Sequence, residues 1–370
     1  MDREPTGKGP PIERIDASAY TVPTDAPESD GTFRWEATTL VLVQATAGGV
    51  TGIGYTYAHA AAVPVILGTL APVVVGRDAF AIPAAWLAML RQVRNLGRPG
   101  LASEAISAVD VALWDLKARL LGLPLCDLLG RVRDGVPVYG SGGFTSYDDD
   151  RLAAQLGAWV EAGIERVKMK VGRDPEADAA RVRIAREAIG PDAGLFVDAN
   201  GAYDRKQAIA LAHAFAAEGV TWFEEPVSSD DLDGLRLVRS LAPPGMEIAA
   251  GEYGYDVLAF RRLLEAGAVD VLQADATRCL GISGFMQAAA LCWAHHTPLS
   301  AHTAPALHLH PCLATIQVRH LEYFHDHVRI ESMFFDGVVE PRRGVLYPDT
   351  SRPGLGLEFK RVDAERYRVR

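Results

Sequence analysis

A chain of 370 residues, 49% of them apolar, is long enough to bury one large core with a smaller companion. Its 37 Lys and Arg against 47 Asp and Glu leave a formal charge of -10, with the bases scattered among acids, which excludes a nucleic-acid partner and suits a protein that gathers carboxylates around a cation. The four cysteines, Cys126, Cys279, Cys292 and Cys312, are far apart, form no CxxC and lie in apolar surroundings, so buried thiols in a reducing cytoplasm are expected rather than disulfides or zinc ligands.

The N-terminal MDREPTGKGPPIERID has no apolar segment and is not a secretory signal. From Ile12 to Gly54 apolar and polar residues alternate in two runs, with a Gly-rich turn between Ala47 and Gly52, which predicts a small antiparallel sheet. Gly52-Ile53-Gly54 lacks the third glycine and the βα unit of a nucleotide loop, and a hairpin turn accounts for it. The stretch from Ala58 to Gly76 is apolar enough to imitate a membrane span, but Pro64, Gly68 and Pro72 interrupt it and His59 and Arg77 flank it, so no membrane partner is expected. Helical patterning runs from Ala60 to Leu129. It is clearest in SEAISAVDVALWDLKARLLG, opened by Ser103 and Glu104 and closed by Gly122 and Pro124. Residues 1–130 thus read as an α+β capping domain.

From Val136 short apolar runs alternate with Ala-rich helical segments: VPVYGS, ERVKMK, GLFVDA, VTWFEE, MEIAAGE, VDVLQAD, TPLSAH and RHLEYF. Eight strand candidates, the first seven each followed by room for a return helix, give the βα alternation of a parallel barrel over 131–330. The segment 331–370 resumes short strand-like pieces and is expected to pack back on the cap.

The polar residues fall at the ends of these runs. Lys170, Asp198, Glu224, Glu252, Asp275, His302 and Glu322 close seven of them in order, and in a closed barrel those ends ring one mouth, so groups spread over about 150 positions converge. Asp198, Glu224 and Glu252 come from consecutive strands, about 5 Å apart, and can meet around one cation. All-oxygen donors select a hard ion, and three crowded anions need one, which points to Mg²⁺. Separate salt bridges at a barrel rim would not recur at the same strand position.

Lys168 and Lys170 lie two apart and face inward together. A cation beside them lowers their proton affinity, so Lys170 is the candidate neutral general base while Lys168, farther down, offsets substrate charge; a solvated strand edge is the plainer alternative. Asp275 can bond one imidazole nitrogen of His302 and leave the other for substrate, making a second acid or base on the opposite wall, although a lone histidine is more often a cap or core residue. Glu322 is a candidate for a protonated carboxyl donating to an oxyanion. His295, His296, His308, His310, His325 and His327 read as structural or exposed.

With these residues the sequence resembles the enolase superfamily over nearly its whole length, within it the mandelate racemase subgroup. The likeness rests on AISAVDVALWDLKARLLGLPLCDLLG, Lys168-Met169-Lys170, VDANGAY with Asp198 and Asn200, WFEEP with Glu224 first, AAGE ending at Glu252, Asp275 in QADATR, His302 in SAHTAP and Glu322 in HLEYF. Arg278 stands where some members carry lysine, and the usual LLGG is Leu128-Leu129-Gly130-Arg131. The resemblance implies a (β/α)7β barrel capped by an α+β domain, one Mg²⁺ per subunit, carboxylate substrates and a homo-oligomer. It also implies substrate contacts at Asn200, Arg278, His59 and Ser141, with cap loops at Thr21 to Phe33 and Ile53 to Ala60 selecting the substrate. Dehydration of a sugar acid to a 2-keto-3-deoxy acid is the first expectation and racemisation or epimerisation of a 2-hydroxy acid the second. From other classes, the alternatives are a barrel hydrolase with a histidine-bound metal, against which His308-Leu309-His310 counts by coming late and off the strand register, and a non-catalytic carboxylate binder.

Overall fold

The computed structural model describes residues 8–370. Its N-terminal part is a three-stranded antiparallel sheet, β1 (Arg14–Ser29), β2 (Arg34–Ala47) and β3 (Val50–Tyr57), in that order. The β2–β3 hairpin turns at Gly48-Gly49, both at positive φ, which matches the twist of the flanking strands. Gly52 and Gly54 are therefore not in a turn, as the sequence suggested, but inside β3. They are needed because the helix Leu101–Leu121 lies directly on the strand: a Cβ on Gly52 would sit 2.3 Å from the Leu116 nitrogen, and one on Gly54 2.3 Å from the Ala108 oxygen. The expected loop Thr21 to Phe33 is likewise mostly strand. Thr21, Val22 and Pro23 pair with Thr39, Thr38 and Ala37, a register irregularity follows, and pairing resumes at Glu28. An edge strand tolerates Pro23 and Pro27, which have no N–H to give. The second loop is shorter than expected too, since β3 runs on to Tyr57.

The apolar stretch after Ala58 folds as short helical pieces, Ala62–Val65, Ile66–Leu70 and Ala71–Val74, and among the described residues no helix is long and apolar enough to cross a membrane. The four cysteines are buried and free.

All eight predicted strands are present: β4 (Val136–Gly142), β5 (Arg166–Lys170), β6 (Gly194–Asp198), β7 (Val220–Glu224), β8 (Glu247–Ala250), β9 (Val271–Ala274), β10 (Leu299–Ala301) and β11 (Val318–Phe324). They run parallel in sequence order, and β11 returns to pair with β4, closing the barrel. Helices such as Asp149–Glu161, Arg205–Ala217 and Gly281–Ala294 cover the outside. The fold is thus a parallel eight-stranded barrel carrying an antiparallel cap. Apolar side chains fill the strand-helix layer, and Tyr139, Phe196, Trp222, Ala249 and Val271 plug the barrel interior, so the polar ends have a packed floor beneath them.

The C-terminal segment touches both parts. Val345–Leu346 runs antiparallel to β4, while the Ala19 N–H of β1 donates to the Arg370 oxygen at 2.8 Å.

Candidate active site

Strand register places the charged residues. Lys170 pairs with Asp198 and Asp198 with Glu224, so three charged side chains stand in one row at the barrel mouth. Glu252 joins them past the end of β8 because Gly251, at φ 136, lets the chain turn where a Cβ would meet the Gln273 oxygen at 2.2 Å. Asp198, Glu224 and Glu252 are all buried and offer oxygen atoms within 4.8 Å of one another.

These acids are too close to be comfortable on their own. Burial, and after it the Asp198 charge, push the Glu224 carboxyl above its ordinary range despite Lys168. Burial also opposes ionisation of Glu252, but the His302 imidazole, Nε2 3.0 Å from Oε2, together with Arg278, holds it well below that range. Next to them Glu225 is buried with Oε1 unpartnered, and burial plus Glu252 raises its carboxyl far above normal. The surplus of buried negative charge and the all-oxygen donor set fit a hard divalent cation.

The lysines are placed differently from one another. Lys170 Nζ donates to Asp198 Oδ2 at 2.5 Å and to Asn200 Oδ1 at 3.1 Å. Burial lowers its proton affinity, yet Asp198 outweighs this, so with no cation on the trio Lys170 is held as an ammonium; the neutral base expected of it is the form beside a bound cation. Lys168 is fully buried, 2.7 Å from Glu224 Oε2, 2.8 Å from Glu322 Oε1 and 3.4 Å from Asp198 Oδ2, and it does not line the cavity. With no cation on the trio, its charge is taken up by these acids. Burial raises the Glu322 carboxyl, but Lys168 and then His302 bring it below the ordinary range when no cation is on the trio, and Oε2 accepts the Thr303 N–H at 3.1 Å.

On the opposite wall His302 Nδ1 lies 2.8 Å from Asp275 Oδ2. Burial disfavours imidazolium there, but Glu252, Glu322 and Asp275 raise the ring to about 10. Asp275 in turn accepts the Thr277 N–H at 2.7 Å, which fixes the pair.

A cavity of about 530 Å³ opens over this row. Lys170, Asn200, Glu252, Arg278, His302 and Glu322 form its barrel side, and Asp30, Thr32, Phe33, Trp35, Tyr57 and His59 its cap side. Three expected substrate-contacting residues, Asn200, Arg278 and His59, therefore reach the cavity. Ser141 does not: it pairs with Lys168 inside the barrel, fully buried. The sequence reading also missed His327, which lines the cavity with its ring stacked on Tyr57 at 3.4 Å between centroids and its Nδ1 accepting the Ala304 N–H at 3.3 Å. It sits on a helix beyond β11, where no strand-end register marks it. His308 and His310 offer no metal site. His308 Nε2 accepts from Ala276 and His310 Nδ1 from Cys126, while their other nitrogens face the carbonyls of Thr303 and Leu355, which removes the basis for the hydrolase reading.

Comparison with known proteins agrees with this geometry. Residues 19–130 match the family described as Mandelate racemase / muconate lactonizing enzyme, N-terminal domain, and residues 151–364 match Enolase C-terminal domain-like. A mandelate racemase/muconate lactonizing enzyme-like protein from Rubrobacter xylanophilus superposes with a TM-score of 0.96 at 56% identity, over 97% of this chain and 100% of that one. The L-talarate/galactarate dehydratase of Salmonella typhimurium LT2, liganded with Mg and L-lyxarohydroxamate, gives 0.90 at 30% identity over 100% of this chain and 95% of that one. The 3,6-anhydro-alpha-L-galactonate cycloisomerase of Streptomyces coelicolor is 33% identical over 95% of this chain and 98% of its own length. The acid trio fits the magnesium that such relatives hold, so magnesium is the cofactor here, and the chain is an enzyme, a lyase or an isomerase. On the matched domains, the closed barrel and its cap, it belongs to the enolase superfamily, in the mandelate racemase subgroup.

Proposed function

We propose that this enzyme removes the proton α to the carboxylate of a sugar acid and expels the neighbouring 3-hydroxyl, giving a 2-keto-3-deoxy acid. The observation that carries the reading is that two titratable groups, Lys170 at the end of β5 and His302 after β10, line one cavity beside the buried row of acids.

Asp198, Glu224 and Glu252 would hold Mg²⁺. When bound, Mg²⁺ supplies positive charge that stabilises an enediolate and lowers the proton affinity of Lys170. Lys170 then takes the α-proton. His302, whose imidazolium form Asp275 and Glu322 favour from beside the trio, gives its proton to the C3 oxygen as the C3–O bond breaks, so water leaves and the resulting enol becomes the ketone. Asp275 holds the His302 ring with one nitrogen turned to the cavity. Lys168 acts by holding Glu224 and Glu322 in place. Arg278, which packs over Tyr253, and Asn200 and His59 orient the hydroxylated chain. Residues 1–130 would act as the substrate-selecting cap, 131–330 as the catalytic barrel and 331–370 as a brace between them, in a homo-oligomer.

Racemisation or epimerisation is the second reading, favoured by the same pair, because an imidazolium can also return a proton to the opposite face of the carbon. A library of sugar acids and 2-hydroxy acids, incubated with Mg²⁺ in heavy water, separates the two. Keto-acid formation supports dehydration, whereas α-deuterium exchange with no keto product overturns it. Neither signal from any acid overturns the shared proton-abstraction step.

A further inference from the structure

A second cluster of ligating side chains lies outside the catalytic row. Asp25 and Glu28, on the irregular part of β1, meet His325, the first residue of the helix His325–Phe334. The three present atoms within 4.8 Å of one another, and His325 Nε2 lies 3.1 Å from Asp25 Oδ2.

An independent observation points to a missing ligand. Glu28 is fully buried; its Oε2 accepts the Trp35 Nε1–H at 2.7 Å, but Oε1 has no partner. A buried carboxylate oxygen left bare is costly. The local charges do not remove the cost. Arg151 lies 3.4 Å from the other Asp25 oxygen, Oδ1, and Arg329 gives its Nη2 to Asp326 Oδ1 and the Pro23 carbonyl, each at 2.7 Å, so its charge only partly offsets the burial of Glu28. Burial, then Asp326, accordingly push the Glu28 carboxyl up to about 8.

We propose that Asp25, Glu28 and His325 form a second metal site, distinct from the acid trio, that takes a divalent transition-metal ion. Two carboxylates and an imidazole are a donor set that transition ions favour and that Mg²⁺, an oxygen binder, does not. Bound there, the ion clips the cap strand to the barrel across about 300 positions of sequence. Asp30, Thr32, Phe33 and Trp35, which follow directly, line the catalytic cavity, so the clip fixes the cap wall against which substrate sits.

Cobalt(II) is the probe, since a nitrogen ligand changes its visible absorption. Protein equilibrated with Co²⁺ and then dialysed should hold about two equivalents per chain, one at each donor set. His325→Ala should hold about one and lose the nitrogen-ligated band, and Glu28→Gln, which keeps the side-chain volume, should weaken the same equivalent. Asp198→Asn should lose the other equivalent and retain that band. Circular dichroism checks that each variant folds. A wild-type stoichiometry that His325→Ala and Glu28→Gln leave unchanged overturns the second site. A single equivalent that vanishes in His325→Ala upholds it and counts instead against metal binding by the trio.

Discussion

Lys170 and His302 are close to acids that set their proton affinities, so changing either should affect proton transfer more than folding. Both Lys170→Ala and His302→Asn should lower turnover by about 10² to 10⁴, the usual span for a general acid or base, with an unchanged far-ultraviolet spectrum. In heavy water Lys170→Ala should also stop α-deuterium incorporation; persistent exchange would shift the first step to His302. Lys168 behaves differently because it is an internal counter-ion. Lys168→Met leaves Glu224 and Glu322 facing each other in the interior without it, and removing one partner of a buried pair costs about 3–5 kcal/mol. By the same rule Lys170→Ala, which takes from Asp198 its 2.5 Å partner, should also lose stability, but less than Lys168→Met because Lys168 still lies 3.4 Å from Asp198, and urea unfolding of the two variants tests that ranking. Lys170, the acid trio and the Asp275–His302 pair were legible as candidates in the sequence because each closes an apolar run, and Lys168 because it lies two positions before Lys170 on the same strand face. Their difference in depth followed from strand direction, with Lys170 at the mouth and Lys168 farther down, but the carboxylates that enclose Lys168 come from other strands and local spacing does not reveal them.

Strands and helices were legible where periodicity was unbroken, and the eight barrel strands emerged from it directly. The cap strands were misread where glycine and proline punctuate them. Gly52 and Gly54 look like turn residues, but what dictates them is a helix some 60 positions later in the chain, which local pattern does not reveal. Because the helix backbone itself blocks a Cβ at Gly54, a side chain there cannot be accommodated by rotating a neighbour. Gly54→Ala should cost about 3 kcal/mol, at the upper end of overpacking losses, and Gly49→Ala, which meets nothing within 4 Å, should cost less and only through its positive φ. Thermal or urea unfolding of the two variants tests the ranking, and equal losses would mean that the sheet simply slides off the helix.

The assembled molecule buries titratable groups of both kinds, and they act in opposite directions on acid stability. His310 and His320 are enclosed. Burial, helped for His320 by Arg319, lowers His310 to about 4 and His320 to about 3, below the ordinary 6.5. Each therefore contributes stability that is present above 6.5 and lost as pH falls towards the folded value, because the unfolded chain takes up the proton first. Glu331 and Asp110 go the other way. Burial raises them to about 8 and about 7, so the folded state holds a proton that the unfolded state has released, and their contribution grows as pH falls from those values towards the ordinary carboxylate range, overlapping the histidine window below 6.5. The total pH dependence is thus a partial cancellation, and a single substitution must be compared with the parent to resolve one group. Between pH 6.5 and 5 a histidine held neutral accounts for about 2 kcal/mol, taking 1.36 kcal/mol per pH unit. His320 packs edge-on to Tyr139 and Trp222, with Nδ1 2.9 Å from Ser300 Oγ, so His320→Gln should be less stable than the parent at pH 7.5. By pH 5 that deficit should shrink by about 2 kcal/mol, because the variant has no imidazole to protonate on unfolding. Urea midpoints at the two pH values measure it, and a deficit that stays constant would show that the barrel floor admits a charged imidazole.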